Sequence, residues 1–335
     1  VNLTRFNLFF PEKREFFLEN QGTFSIGGIA AGGSGAGGGD APVLFYSRRI
    51  GLAQGRAVPI RGGGRLTGRV GQYTLGFIDI QTGDDPQGGA RATNFAVARV
   101  RRDFLRRSKP CGAILFARNC QSHEQIRRLV LDMRDAVGSA TFLVLIDQEG
   151  GRVQRLRPPL GRALPPSAAY GEIHVRDPER GLATAQRIAR LLAGDLRDLG
   201  IDTDCAPVLD LPVPGAHAII GDRAFAGEPD RVAALGRAFA DGLMWGGVLP
   251  VIKHIPGHGR ANADSHLVLP VVTTPHAELS RTDFAPFKAL AGLPAAMTAH
   301  VVFADVDAHL PASVSGTVHD RIIRGEIGFD GLLMS

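Results

Sequence analysis

The segment KHIPGHGRANADSH, residues 253–266, holds three histidines, a lysine and an aspartate directly after the apolar run LPVI. Three chemistries fit it. His254 and His258 stand four apart, a spacing that serves a metal when both lie on one helical face, but Pro256 and Gly257 oppose a helix there. A loop whose histidines are satisfied by backbone groups is the second. The third is acid/base work, in which Asp264, two residues before His266, accepts its ring N–H, fixes the tautomer and raises its basicity. Lys253 and His254 would then donate to substrate hydroxyls.

A second segment, LIDQEGGRVQRL at 145–156, runs an apolar strand straight into Asp147 and Glu149. Gly150 and Gly151 allow a tight turn that exposes the strand-end carboxylate to a ligand. Asp147 is suited to accept from vicinal hydroxyls of a sugar, with Arg152 and Arg155 as donors. For Glu149 the alternative is a helix N-terminus whose dipole it complements. Arg223, in a Gly- and Asp-bearing loop, is a weak candidate taken alone. Arg118 and Asn119 end a further strand and suit either a ligand or a loop cap.

These residues need a scaffold that presents strand ends together. From about Pro110 the sequence alternates short apolar strands (GAILF, TFLVLI, IDTDCAP, LPVIKH, AAMTAHV, GLLMS) with amphipathic helices, which predicts a parallel sheet with right-handed crossovers. The helix after Ser122 is marked by a capping box with Gln125, by an apolar stripe of Ile126, Leu129, Val130 and Met133, and by Gly138 at its end. Helices are also predicted over 181–200, 231–247 and 278–292. Chemistry at the C-terminal ends of many strands, Asp147, Asp210, Lys253, His254 and His300 among them, is the habit of a (β/α) barrel. The six strands are two short of one.

The first hundred residues read differently. A glycine-rich run at 27–40 can pack no core, and the segments from Arg65 and from Ala92 alternate with a period near two, predicting antiparallel hairpins. The fold expected is therefore α/β: an incomplete (β/α)8 TIM barrel over 109–335, preceded by a β-rich antiparallel segment over 1–108.

Composition excludes several classes. With 44% hydrophobic and 21% charged residues in 335, the chain is too apolar for disorder. Three cysteines, Cys111, Cys120 and Cys205, are too few and scattered for a disulfide framework. The net charge of +5 is spread arginine, dense only over 91–109 and without aromatics interleaved for base stacking, so no nucleic-acid partner is expected. The sequence starts with Val rather than Met, and residues upstream are expected.

ILFARN, LIDQEGGRVQRL, GIDTDCAPVLDL, GDRAF, KHIPGHG with DSH, MTAHVVF and GEIGFDGLLMS, in this order, resemble the bacterial β-N-acetylglucosaminidases of glycoside hydrolase family 3, the NagZ type. The resemblance spans about 109–335. It implies a retaining hydrolase, free of metal or organic cofactor, that removes non-reducing terminal N-acetylglucosamine from muropeptides during cytoplasmic cell-wall recycling. It implies His266, held by Asp264, as the acid/base on a mobile loop, and Asp147, Arg155, Arg223, Lys253 and His254 as sugar contacts. The family's nucleophilic aspartate would follow Ser335 directly, so impaired hydrolysis is expected of these 335 residues by themselves. Residues 1–108 resemble part of a bacterial family of unknown function thought to form an outer-membrane β-barrel; membrane contact is expected of that segment alone, and a junction of two unrelated sources near 108–111. The alternative to an enzyme is a non-catalytic N-acetylglucosamine-binding protein or an outer-membrane β-barrel protein.

Overall fold

Four-residue apolar runs such as LVLI are long enough to cross a sheet and too short for a helix, and their flanking helices supply the crossovers that parallel pairing requires. The structure is a computed structural model. It describes residues 15–18, 50–53, 56–70, 73–85, 90–102, 105, 108–139, 141–213, 215, 219–261 and 269–335. The chain divides into two compact units, 1–109 and 110–335.

In the first unit, strands β1 (Ile60–Val70), β2 (Tyr73–Thr82) and β3 (Asn94–Arg102) form an antiparallel sheet in that order. The predicted alternation is present: Ile78 and Ile80 are buried on one face against Ile50 and Phe95, while Phe77 and its partner Leu66 are exposed on the other. The glycine-rich run at 27–40 lies outside the described residues.

In the second unit all six predicted strands form, as β4 (Gly112–Leu115), β5 (Leu143–Ile146), β6 (Thr203–Asp204), β7 (Leu249–Ile255), β8 (Ala295–Thr298) and β9 (Leu332–Met334). They lie side by side in chain order and every pair is parallel. A doubly wound sheet reverses its order at a switch point; this one never does, so it curls in one sense as a half-barrel with β4 and β9 at its edges.

Helix α1 (His123–Val137) keeps its predicted signals: Ser122 Oγ accepts from the Gln125 amide, Ile126, Val130 and Met133 are buried, and Gly138 closes it at φ 67°. Helices α2 (Ser167–Arg176), α3 (Pro178–Asp198) and α4 (Pro229–Trp245) follow. The helix predicted over 278–292 is instead two, α5 (His276–Arg281) and α6 (Ala285–Ala289). Pro286 explains the break, because it offers no N–H to the preceding turn and its ring crowds the carbonyl there.

Helices α3 and α4 pack closely through small residues. A Cβ on Gly242 would stand 2.2 Å from the Gln186 carbonyl oxygen of α3. Gly242→Ala must therefore push the two helices apart. A loss of about 1–3 kcal/mol is expected, the usual cost of overpacking, read as a lower denaturant midpoint by far-ultraviolet circular dichroism.

Candidate active site

Strand β5 delivers Asp147 at its C-terminal end, and the chain reverses at once. Gln148–Gly150 pairs antiparallel with Val153–Gln154, through a turn in which Gly150 (φ 104°) and Gly151 (φ 54°) occupy the left-handed region. A side chain at Gly150 would also meet the Pro165 carbonyl oxygen at 2.2 Å. Glu149 thus lies in a strand, and the helix N-terminus considered for it does not exist. The turn is pinned by Gln148, whose Oε1 accepts from the amides of Arg155 at 2.9 Å and Leu156 at 3.0 Å, while its Nε2 donates to the Leu156 carbonyl at 2.8 Å. The clamp returns Arg155 to Asp147.

The side chains then meet in one ion network. Lys253, fully buried within β7, donates to Asp147 Oδ1 at 2.9 Å and stands 2.6 Å from Glu149 Oε1. Arg155 Nη2 donates to Asp147 Oδ2 at 2.9 Å. Arg223, placed by a short helical turn at Gly221–Arg223, forks onto Glu149 with Nε and Nη2 both at 2.8 Å. Two carboxylates thus share three cations.

The electrostatics follow from burial set against this pairing. Burial pushes the Asp147 carboxyl up, but the Lys253 ammonium and the Arg155 guanidinium outweigh it and hold the group at about 2. Glu149 is held below the usual carboxylate range in the same way, burial being overcome by Lys253 and Arg223. Lys253 itself is raised: burial lowers it, but Glu149 and Asp147 more than compensate. An acid depressed in the folded state stabilises fully above its unfolded value and loses that contribution as pH falls through the folded one. For Asp147, depressed from 3.8 to about 2, the window is pH 4 to 2 and the contribution about 2 kcal/mol at neutral pH. Urea titrations across that window should show the wild type losing stability more steeply than Asp147→Asn.

A second cluster adjoins along the chain. Asp210, buried after β6, accepts His254 Nδ1 through Oδ2 at 2.6 Å, and the amides of His258 at 2.7 Å and His254 at 3.3 Å through Oδ1. Burial raises Asp210, but His254 and His258 together with these hydrogen bonds bring it below its ordinary value. Burial also lowers the His258 ring, more than Asp210 raises it. The rings of His254 and His258 lie 5.4 Å apart.

All five residues assigned to sugar contact, Asp147, Arg155, Arg223, Lys253 and His254, are therefore brought to the strand C-terminal ends. Asp264 and His266 lie outside the described residues. Arg118 stacks on the Phe116 ring at 4.6 Å and Asn119 Oδ1 accepts the Phe116 amide at 3.0 Å, so the latter pair favours the loop-cap reading. Arg152 donates to the Ile219 and Ile220 carbonyls, holding the loop that carries Arg223. Among the described residues no group of three or more His, Cys, Asp or Glu side chains could hold a metal ion.

Glu149 and His258 are the residues that sequence reasoning undervalued. The signal for Glu149 was present in its spacing from Asp147: two carboxylates flanking one strand position can grip a single cation from the neighbouring strand.

Residues 80–335 match the family described as Glycosyl hydrolase family 3 N terminal domain. The match opens inside β2, ahead of the division at 109. The chain is 42% identical over 226 residues to the β-hexosaminidase of Alkalilimnicola ehrlichii, and 41% identical over 226 residues to that of Bordetella avium, in each case across 67% of this chain and 64% of the relative. It thus spans somewhat less than two thirds of the length of these relatives. Among solved structures, NagZ from Neisseria gonorrhoeae in complex with N-trifluoroacetyl-D-glucosamine superposes with a TM-score of 0.62 at 38% identity, covering 67% of this chain and 66% of that one. A family 3 β-N-acetylglucosaminidase from Paenibacillus sp. str. FPU-7 superposes with a TM-score of 0.63 at 34% identity, covering 69% and 44%.

Proposed function

Because the chain belongs to glycosyl hydrolase family 3, we propose that it is the site-bearing part of an enzyme that hydrolyses terminal non-reducing β-N-acetylglucosaminides. The observation that carries this reading is the Asp147 carboxylate, set at a strand end with one oxygen on Lys253 and the other on Arg155. Each oxygen keeps lone pairs for a pair of vicinal hydroxyls, while the flanking cations keep the group ionised and immobile. Lys253, Arg155 and His254 supply donors to the remaining hydroxyls. Asp210 fixes which nitrogen of His254 faces its own carboxylate, leaving Nε2 for the ligand. The sugar-bound relative from Neisseria gonorrhoeae supports an N-acyl glucosamine as the ligand class.

On this reading the (β/α)8 barrel is the complete form of the half-barrel, and the reaction retains anomeric configuration, with His266 as acid/base oriented by Asp264. The substrate class is the muropeptide of cytoplasmic cell-wall recycling. No helix among the described residues is long and apolar enough to cross a membrane.

Calorimetric titration with N-acetylglucosamine tests the reading at its carrying residue. Saturable heat is expected from the wild type and none from Asp147→Ala, which removes both acceptors. A wild-type chain that gives no heat, or a variant that keeps it, overturns the assignment.

A further inference from the structure

Under the ion network lies a carboxyl to which the reading above gives no task. Asp204 ends β6, sits between Ile146 of β5 and Pro250 of β7, and is completely buried. Its Oδ1 accepts the backbone N–H of Gln148 at 3.0 Å, and its Oδ2 has no hydrogen-bond partner among the described residues. The charged and titratable groups bearing on it are Asp147 and Glu149 from the segment after β5, Lys253 from β7 and the neighbouring thiol of Cys205.

That setting suits a neutral acid. A buried ionised carboxylate calls for partners on both oxygens, and among the described residues one oxygen has none, while two carboxylates repel it against a single ammonium already shared between them. Burial, aided by Asp147 and Glu149, accordingly raises Asp204 well above the usual carboxylate range, against the pull of the Gln148 amide and of Lys253. Neutral or charged, Oδ1 still accepts from Gln148, and Gln148 is the residue whose side chain clamps the amides of Arg155 and Leu156. Asp204 therefore anchors the backbone from which the whole turn hangs.

We propose that Asp204 is a positioning residue of the sugar site: as an uncharged carboxylic acid it holds Gln148, and through it the turn that sets Arg155 against Asp147. The assignment rests on the sugar-binding reading for its consequence, though not for its geometry. It predicts a pH ceiling, since ionising Asp204 places a third negative charge under Asp147, Glu149 and Lys253.

The variants Asp204→Asn and Asp204→Ala in the full chain decide it. Asn keeps the acceptor without the proton, so near neutral pH it should bind N-acetylglucosamine as the wild type does, while Ala weakens binding about tenfold, the scale of one hydrogen bond to a buried group. As pH is raised the wild type should lose affinity and Asn should not. Two readouts need no sugar. An infrared difference spectrum, wild type minus Asn, should show a protonated-carboxyl band at neutral pH, and amide exchange over 148–156 should quicken in Ala but not in Asn. Absence of that band, an Asn variant as damaging as Ala, or an Ala variant without effect overturns the proposal. If Ala does not fold, the band and the Asn pH profile still decide. A wild type that binds no sugar while the band and exchange pattern hold would reject the functional reading instead.

Discussion

The Lys253→Met variant should unfold at a markedly lower denaturant concentration than the wild type, with a loss of roughly 3–5 kcal/mol, the cost of breaking a buried ion pair from one side. The methionine fills much the same volume, so the loss comes from charge rather than from a cavity. Among the described residues Asp147 and Glu149 then keep Arg155 and Arg223 as their cations, one each. Their carboxyls should rise toward or above ordinary values, because the largest opposing influence, the Lys253 ammonium, is gone. Far-ultraviolet circular dichroism at the helical band follows the loss, because α1 to α6 all lie in the second unit. A variant as stable as the wild type would show that burial of Lys253 is not compensated through these pairs.

Replacing Asp210 should separate stability from function. Asp210→Ala orphans the buried His258 amide and frees the His254 ring, at a cost of roughly 3 kcal/mol for several hydrogen bonds to one charged acceptor. Asp210→Asn keeps an oxygen for the two amides and should recover most of that stability. It turns an N–H toward His254 Nδ1, however, which forces the proton onto Nε2 or the ring out of place. Sugar affinity and its pH dependence should therefore change in Asn while the denaturant midpoint barely moves. Equal affinity in Asn and wild type would remove the orienting role assigned to Asp210.

Much of the architecture was legible because local signals agree with one another. The six apolar runs, the capped helix at 123–137 and the alternation around Phe77 each carry their own periodicity, and each forms as expected. The helix expected over 278–292 forms as two because apolar spacing does not register Pro286, whose missing N–H a continuous helix would need. Asp147 was legible since a carboxylate directly after an apolar strand has no core role. Asp204 was not, because it stands inside a strand-like run, where only its burial distinguishes it.

The sequence by itself determined the family and the order of the six parallel strands, and it singled out side chains whose chemistry suits a sugar, for these depend on residue type and short-range spacing. Which carboxylate meets which cation was decided only by tertiary structure. Lys253 lies more than a hundred residues from Asp147 and Glu149, and parallel pairing of β5, β6 and β7 is what brings them within 3 Å. The same packing decided between the two roles open to Glu149, making it a buried ion partner, and left Asp204 beneath it with one oxygen unpaired among the described residues. Charge interactions act through distance and burial, and neither is written in the order of residues along a chain.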